Sequence, residues 1–309
     1  MRELGEQALI AAFAEIYRAR TGVEVGIGDD GAVVASPHSK EVITTDIATE
    51  GVHFNRAWST ATDIGAKIAI ANLADLFAMG ATPNYFTVAI SAPGDEQVSY
   101  LLDIARGIES VASRYGVSIV GGDVVAGSSL TIAITAIGGV VTPVLRSGAR
   151  EGNLLFLTRG TGRSLAGLLL LSRELVDVDS PMVSFFQRPD FHPQELSEFG
   201  YANINALMDV SDGLISDLEK LAKASEVGIN LEIDEGQLAY LREFAEKLEI
   251  SPLELFLRSG EEHSFIVAIN KEHLPKVPAF WIKIGEVVVG EKITMRGEPL
   301  PFSELSWHW

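Results

Sequence analysis

Aspartates grouped with glycines, threonines and serines are the residues of this chain whose types and spacing could do chemistry. Oxygen ligands of this kind suit Mg²⁺, which proteins usually hold with one or two carboxylates together with waters and substrate phosphates. The groups are Gly26-Ile27-Gly28-Asp29-Asp30, Thr44-Thr45-Asp46, Asn72-Leu73-Ala74-Asp75, Gly121-Gly122-Asp123 and Asp209-Val210-Ser211-Asp212-Gly213. Their recurrence predicts a site where magnesium ions and phosphate groups meet.

The charge of the chain limits its partners. Its 309 residues include 24 basic and 42 acidic ones, which gives a net charge of -18. Such a chain repels nucleic acids and anionic membrane surfaces, so neither is an expected partner. Carboxylates also repel phosphates, and a phosphate site on this chain therefore needs cations. The chain has no cysteine, which excludes thiol nucleophiles and thiolate metal sites.

Some of these segments have simpler explanations when each is considered alone. Asp209, Ser211 and Asp212 favour a helix cap with an acid in the first turn. The segment Gly160-Thr161-Gly162-Arg163-Ser164 is more typical of a tight turn than of a phosphate loop. Only the whole set of aspartate groups favours metal and phosphate chemistry.

The common nucleotide-binding motifs do not apply. Residues 26–31 fit G-x-G-x-x-G, but Val33, Val34 and Pro37 predict a strand and a turn where a dinucleotide motif requires a helix. The chain contains no G-x-x-x-x-G-K-[ST] loop and no protein-kinase H-R-D or D-F-G set. Any nucleotide site must therefore be of another architecture.

Short strands and helices alternate around these groups, and periodicity predicts a helix over 9–17 that ends near residue 22. In the first half we expect helices at 63–79 and 98–112 and strands at 33–35, 42–45, 84–91, 117–120 and 130–137. In the second half we expect strands at 154–158, 229–233 and 265–269, helices at 164–172 and 237–248, a strand-to-helix junction at 207–224, and a polar connection around Pro181, Pro189 and Pro193. Pro143 and Gly148 interrupt the pattern, which predicts domains 1–142 and 143–309.

The chain shows no sign of export or membrane insertion. Residues 1–7 lack the apolar core of a signal peptide, and no apolar run approaches the 18 or so residues that span a bilayer. A cytoplasmic location is the expectation.

The motifs, in their order and spacing, resemble the thiamine-monophosphate kinase family, whose superfamily includes aminoimidazole ribonucleotide synthetase, selenophosphate synthetase and a hydrogenase-maturation protein. The motifs that carry the resemblance are residues 26–30, 44–46, 50–54, 72–81, 121–123, 146–148 and 209–218. The resemblance implies an aminoimidazole ribonucleotide synthetase-like two-domain architecture: an α/β N-terminal domain whose strands form a barrel across a homodimer interface, and an α+β C-terminal domain, with ATP bound between them. It also implies a kinase that converts thiamine monophosphate and ATP to thiamine diphosphate.

The resemblance also implies roles for individual residues. Several Mg²⁺ ions would be bound by Asp30, Thr44, Thr45, Asp46, Asp75, Asp123, Asp209 and Asp212. Of these, Asp46, Asp75, Asp123 and Asp209 would be the catalytic residues. ATP would contact Gly122, Asp123, Arg146 and Ser211, and the acceptor would contact His53, Glu261 and Trp307. Taken singly, His53 could equally be an ordinary loop histidine, and Trp307 a hydrophobic C-terminal anchor.

Two motifs depart from the family pattern. Val124-Val125-Ala126-Gly127 stands where the family has Thr-Thr-Arg-Gly, and Ser259-Gly260-Glu261-Glu262-His263-Ser264 stands where it has Gly-Gly-Glu-Asp-Tyr-Glu. An alternative function is therefore a non-catalytic or differently specific ATP-binding paralogue, for example one like aminoimidazole ribonucleotide synthetase.

For a kinase, the acceptor phosphate is largely dianionic near pH 7 and needs no general base, which predicts direct in-line transfer.

Overall fold

A computed structural model describes residues 12–17, 23–25, 33–34, 40–175 and 180–300. The chain divides into two compact units. The first comprises Met1–Phe77 and Ala81–Thr142, and the second comprises Ala78–Gly80 and Pro143–Trp309. Each unit contains a mixed sheet with helices, which confirms the expected two-domain fold class.

The first unit is built on a four-stranded sheet in the order β3-β6-β4-β5, in which β4 and β5 are parallel and the other neighbours are antiparallel. The strands of this sheet are β3 (Lys40–Thr49), β4 (Thr82–Ala92), β5 (Ser118–Ala126) and β6 (Thr131–Val140). The unit also contains β1 (Val23–Val25) and β2 (Val33–Val34), which pair with each other. The helices of the first unit are α1 (12–16), α2 (Ala61–Ala78) and α3 (Val98–Arg114). The two long helices confirm the predictions for 63–79 and 98–112, while β3 is much longer than the predicted strand at 42–45.

Helices α2 and α3 approach each other through glycines. A Cβ atom added at Gly65 would lie 2.1 Å from the Ile104 carbonyl oxygen, and one added at Gly107 would lie 2.1 Å from that of Thr62. Backbone contact this close excludes any side chain at either position. Helix α2 in turn packs on one face of the sheet, where Leu76 lies beside Gly138 of β6.

The second unit is built on a seven-stranded sheet in the order β13-β12-β9-β11-β7-β10-β8, in which only β12 and β9 pair in parallel. Its strands are β7 (Leu154–Leu157), β8 (Ile204–Asp209), β9 (Gly228–Leu231), β10 (Phe265–Ile269), β11 (Ile282–Val288), β12 (Ile293–Met295) and β13 (Glu298–Pro299). Its helices are α4 (Arg163–Ser172), α5 (Pro181–Gln187), α6 (Gln194–Phe199), α7 (Leu214–Ser225), α8 (Arg242–Leu248) and α9 (Pro252–Arg258).

Two expectations for the second half were wrong in detail. The stretch expected as a polar connection contains α5 and α6, because Pro181 occupies the first turn of α5 and the helix buries Met182, Val183, Phe185 and Phe186. The helix expected at 237–248 is a 3₁₀ segment, Glu235–Leu241, followed by α8. Within the described residues, no helix has the length and apolar character needed to cross a membrane.

Candidate active site

Strand β3 and helix α2 are joined by polar contacts between the predicted site residues. The Thr44 hydroxyl donates to Asp75 Oδ2 at 2.6 Å, and the Asp46 backbone N–H donates to Asn72 Oδ1 at 3.2 Å. Asn72 and Asp75 share a face of α2 because they are three residues apart. The side chains of Thr44 and Asp46 share a face of β3 because alternate residues of a strand point the same way.

Asn72 is fully buried, and its side chain fixes the orientation of this contact. Its Nδ2 donates to the Ile68 carbonyl at 2.9 Å, so its Oδ1 is the atom that faces the Asp46 N–H. Asp46 and Asp75 themselves keep partial exposure. The contacts between β3 and α2 therefore orient the Asp75 carboxylate and fix the backbone of Asp46 on the helix-covered face of the sheet, without burying either side chain.

Thr45 lies on the other face of β3. Its hydroxyl is 2.7 Å from the hydroxyl of Thr135 on β6. The same face exposes Ile43, which is 66% exposed, and Ile47, which is 55% exposed. The structure thus separates Thr45 from Thr44 and Asp46, since adjacent strand residues point to opposite faces.

The Gly121-Gly122-Asp123 motif lies within β5, which continues to Ala126 instead of ending near residue 120 as the sequence predicted. Asp123 is exposed, pairs with Ala89 of β4 and accepts the Val124 N–H at 2.9 Å. Strands β6 and β4 lie between β5 and β3. A Cβ atom at Gly122 would lie 1.8 Å from the Val88 carbonyl oxygen, so backbone packing alone requires glycine there.

His53 lies in a turn directly after β3. The turn is closed by a hydrogen bond from the Gly51 N–H to the Phe54 carbonyl at 2.8 Å, and the Thr49 N–H donates to His53 Nδ1 at 3.2 Å. A nitrogen that accepts a hydrogen bond carries no proton, so the neutral ring bears its proton on Nε2. The exposed His53 side chain therefore presents an N–H donor to a ligand.

Arg56 stabilises this turn and was not predicted from the sequence. Its guanidinium donates to Glu50 at 2.8 Å and to both oxygens of Glu96 at 2.6 and 3.0 Å, and it lies 4.4 Å from the centroid of the Tyr100 ring. These hydrogen bonds hold the pKa of Glu96 below its usual value. No sequence signal could have identified the pair, because 40 positions separate Arg56 from Glu96.

Asp209, in the second unit, is the last residue of β8 and is buried. Its Oδ2 is 3.4 Å from Nδ1 of His263, which is also buried. The strand end is therefore tied to the segment that contains Glu261.

The loop after Asp209 is organised by an acid that sequence reasoning did not single out, Asp217 in the first turn of α7. Its Oδ2 accepts the backbone N–H groups of Ser211 and Asp212 at 2.9 and 3.0 Å, while Lys220 donates to its Oδ1 at 2.7 Å and pairs with Asp212. Gly213, with φ 108°, occupies the cap position, so no side chain of the aspartate group caps α7. Burial raises the pKa of Asp217 to about 6.

The glycine turn before α4 is occupied by an internal acid. Glu262 Oε1 accepts the N–H groups of Gly162 and Ser164 at 2.8 and 2.9 Å and the Ser259 hydroxyl at 2.6 Å. Burial raises the pKa of Glu262, which is almost fully buried. Because a carboxylate already lies at this helix N-terminus, the turn is not a place for a nucleotide phosphate.

Arg146 begins a short 3₁₀ turn, Arg146–Gly148, and its side chain is exposed. A Cβ atom at Gly148 would lie 1.7 Å from the Asn205 carbonyl oxygen, which requires glycine at the end of this turn.

Among the remaining predicted residues, Glu261 is partly exposed, with φ 51°. Asp29, Asp30 and Trp307 lie outside the described residues.

The fold and these polar groups define a class of protein. The family model for AIR synthase related protein, N-terminal domain, matches residues 28–140, and the model for AIR synthase related protein, C-terminal domain, matches residues 150–297. The chain is therefore a member of the AIR synthase related superfamily.

Closer relatives specify the family. The thiamine-monophosphate kinase of Mycobacterium tuberculosis (strain ATCC 25618 / H37Rv) is 33% identical over 309 residues, covering 96% of this chain and 90% of that protein. The crystal structure of thiamine-monophosphate kinase from Stenotrophomonas maltophilia K279a superposes with a TM-score of 0.79 at 25% identity, covering 94% of this chain and 95% of that one. AaThiL complexed with AMPPCP and TMP superposes with a TM-score of 0.78 at 28% identity, covering 99% and 98%. This chain belongs to the thiamine-monophosphate kinase family.

Proposed function

We propose that this chain is an ATP-dependent kinase that phosphorylates thiamine monophosphate to thiamine diphosphate by direct in-line phosphoryl transfer. The observation that carries the proposal is the contact of β3 with α2, where Thr44 bonds Asp75 and Asn72 bonds the Asp46 backbone. Family membership and the relative complexed with AMPPCP and TMP support the choice of substrates.

The residues of this site suit Mg²⁺. Within the described part of the chain, no three His, Asp or Glu side chains lie close enough together to hold an ion by themselves. Two oriented carboxylates that leave coordination positions to waters and phosphates are the usual protein contribution to a magnesium site. When bound, Mg²⁺ would neutralise and orient the phosphates that must approach each other.

The chain's own residues would position the reactants. Asp46 and Asp75 would be the principal ligands of the cations, with Thr44 orienting Asp75. His53, through Nε2–H, would donate to the acceptor, and exposed Arg146 would contact ATP. We assign the remaining predicted roles as follows: Asp30, Asp123, Asp209 and Asp212 to metal, Gly122 and Ser211 to ATP, and Glu261 and Trp307 to the acceptor. Thr45 stands outside the group around β3 and α2, because it bonds Thr135 on the opposite face. Asp123 lies on that face too, since its strand partners Ala89 and Ala133 are in register with Ile47.

The experiment that tests the function is ³¹P NMR of the purified protein with ATP, Mg²⁺ and thiamine monophosphate. We expect ADP and thiamine diphosphate to appear together. Asp46→Asn should abolish turnover, whereas the matched control Asp103→Asn, on the exposed Asp103–Arg106 pair of α3, should retain it. ADP with free phosphate, or no reaction, would refute this acceptor.

One observation favours a second candidate, a differently specific paralogue. Val124 is buried and Val125 is 49% exposed, so β5 offers phosphate no side-chain hydroxyl or cation where the family has Thr-Thr-Arg. The same NMR experiment with other phosphorylated acceptors separates the two candidates.

We also propose that the chain forms a homodimer through the face of the four-stranded sheet that carries Ile43, Thr45 and Ile47, opposite α2. This face is called the uncovered face below. Ile43, Ile47 and Val125 expose apolar surface on that unit. Exposed apolar surface on a regular sheet is typical of a protein–protein interface.

A further inference from the structure

Glu262 is a buried acid whose side chain joins two separate loops of the second unit. One carboxylate oxygen, Oε1, accepts hydrogen bonds from the backbone of Gly162 and Ser164 and from the Ser259 hydroxyl. The Ser259 hydroxyl oxygen in turn accepts the Leu165 N–H at 2.9 Å. The start of α4 and the segment 259–264 are thus held together through two side chains, those of Glu262 and Ser259.

The backbone on both sides of Glu262 adopts an unfavourable conformation. Glu261 has φ 51° and His263 has φ 48°, in the left-handed region that side chains other than glycine rarely occupy. Such conformations persist only where the surroundings enforce them. Here the N–H of Glu261 donates to the Ser211 carbonyl at 2.7 Å, and those of Glu262 and His263 donate to the Val210 carbonyl at 3.1 and 3.0 Å.

We infer that Glu262 is a positioning residue that holds Glu261 and His263 in place for the kinase reaction, an inference that rests on the proposed function. The backbone bonds fix segment 261–263 on Val210 and Ser211, directly after β8, and the Glu262 side chain fixes it on the start of α4. His263 then lies against Asp209, and Glu261 stays partly exposed where it can contact a ligand.

The reason for an acid at this position is geometric. The first turn of a helix has N–H groups without partners inside the helix, and a carboxylate satisfies two of them here at once. An apolar residue in its place would leave the buried N–H groups of Gly162 and Ser164 unsatisfied. It would also remove the ion pair of Glu262 Oε2 with Arg163 Nε, which lie 3.9 Å apart.

The test compares Glu262→Leu, which keeps the volume and removes the acceptor, with Glu262→Gln, which keeps the acceptor oxygen. The matched control is Glu195→Leu, because Glu195 is a buried acid of the same unit that bonds Arg159 and the Trp281 indole. Steady-state kinetics give KM for the acceptor, KM for ATP and kcat separately.

We expect Glu262→Leu to raise the acceptor KM about tenfold, since displacing a contact residue by about 1 Å has effects of that order or larger. The KM for ATP should change less than about twofold, and Glu262→Gln should restore the acceptor KM to near the wild-type value. A purely structural role would instead lower kcat in Glu262→Leu and Glu195→Leu alike and leave both KM values unchanged, which would overturn the inference. If Glu262→Leu does not fold, Glu262→Asp, whose shorter side chain cannot reach both loops, replaces it.

A second readout does not depend on activity. Amide hydrogen exchange should accelerate in 259–264 and in 209–212 in Glu262→Leu but not in Glu195→Leu. If the wild-type protein has no kinase activity, the proposed function is refuted. Hydrogen exchange then still decides whether Glu262 holds these two segments in place. Unchanged exchange in both segments would refute the positioning role even in an active kinase.

Discussion

At the scale of single residues, Asp75 serves two contacts: it accepts the Thr44 hydroxyl and, in the proposed site, offers oxygen to a cation. Groups that orient a metal ligand are typically worth a 10- to 100-fold change in metal affinity or activity. We therefore expect Thr44→Val to raise the Mg²⁺ concentration needed for half-maximal turnover by roughly tenfold. Initial rates over a Mg²⁺ titration measure it.

The control for Thr44→Val is Thr135→Val, which removes a hydroxyl from the opposite face of the same sheet. It should leave the Mg²⁺ dependence unchanged. An equal shift in both variants would mean that Thr44 acts only through the stability of the sheet.

Asp217 makes a prediction about pH. Its pKa of about 6 lies above the ordinary value of 3.8, because burial outweighs the bonds from Lys220. The folded state therefore holds this proton more tightly than the unfolded state, and stability falls as pH rises from about 4 to about 6. The free energy of unfolding of the wild type, measured relative to that of Asp217→Asn, should therefore drop by about 3 kcal/mol across this window. This value follows from the difference between a pKa of about 6 in the folded state and the ordinary value of 3.8.

Urea unfolding of the two proteins at pH 4, 5, 6 and 7 tests this expectation. Asn is a suitable comparison because its side-chain oxygen can still accept the N–H groups of Ser211 and Asp212. A wild-type protein that instead gains stability over Asp217→Asn with rising pH would show that the Lys220 pair lowers the pKa of Asp217 below its unfolded value.

Individual residue types were the most predictable part of the site. Thr44, Asp46, Asn72 and Asp75, all from motifs singled out in the sequence, meet in the polar contact between β3 and α2, and Asp209 ends a strand. Their roles toward metal and substrate stay predictions. Arg56, Asp217 and Glu262 were not predicted as site residues. The partners of Asp217 lie within 6 positions of it, but only the structure of the loop after β8 brings them together. Arg56 and Glu262 have partners that are distant in sequence. Glu262, for example, meets Gly162 across 100 positions of sequence.

At the scale of elements, α2 carries Asn72 and Asp75 and depends on α3 for its position. Gly65→Ala would place a methyl group against the Ile104 carbonyl, where the available distance is 2.1 Å. The helices must move apart, and overpacking of this kind costs about 1–3 kcal/mol. We expect a lower Tm together with reduced turnover, since α2 would shift relative to β3.

Gly236→Ala is the control for this prediction, because a Cβ atom there meets no atom within 4 Å. Differential scanning calorimetry and the kinase assay on both variants measure the effect. A Gly65→Ala protein as stable and active as Gly236→Ala would contradict the close packing of α2 on α3.

Long periodic elements were predictable, and short ones were not. The amphipathic pattern of α3 agrees with the helix expected at 98–112, and Gly116, with φ 73°, follows the end of the helix in the left-handed conformation common there. The length of β3 was missed because polar Thr44 and Asp46 lie on the face covered by α2 while Ile43 and Ile47 are exposed, the reverse of the usual strand pattern. Helices α5, α6 and α9 are each seven residues or fewer, too short for a helical period to stand out.

At the scale of the whole molecule, the uncovered face of the first sheet predicts self-association. Ile47→Glu would place a charge in the proposed interface, where burial without a partner is costly. We expect the variant to elute as a monomer of 33.2 kDa in size-exclusion chromatography with light scattering, whereas the wild type elutes at twice that mass.

Val289→Glu is the matched control, because Val289 is 76% exposed in the second unit. It should remain dimeric. A wild-type protein that is already monomeric, or an Ile47→Glu variant that stays dimeric, would refute an interface on this face.

The second unit includes residues from two separate parts of the chain. Ala78–Gly80 belong to it although the residues on both sides of them belong to the first unit, and Val144 donates its N–H to the Met79 carbonyl at 3.1 Å. The gene therefore cannot be divided once to yield both units complete. Recombination between related genes, whether in evolution or in the laboratory, would have to inherit the codons for residues 78–80 together with those for 143–309, and a single crossover at residue 142 would join mismatched parts of the second unit.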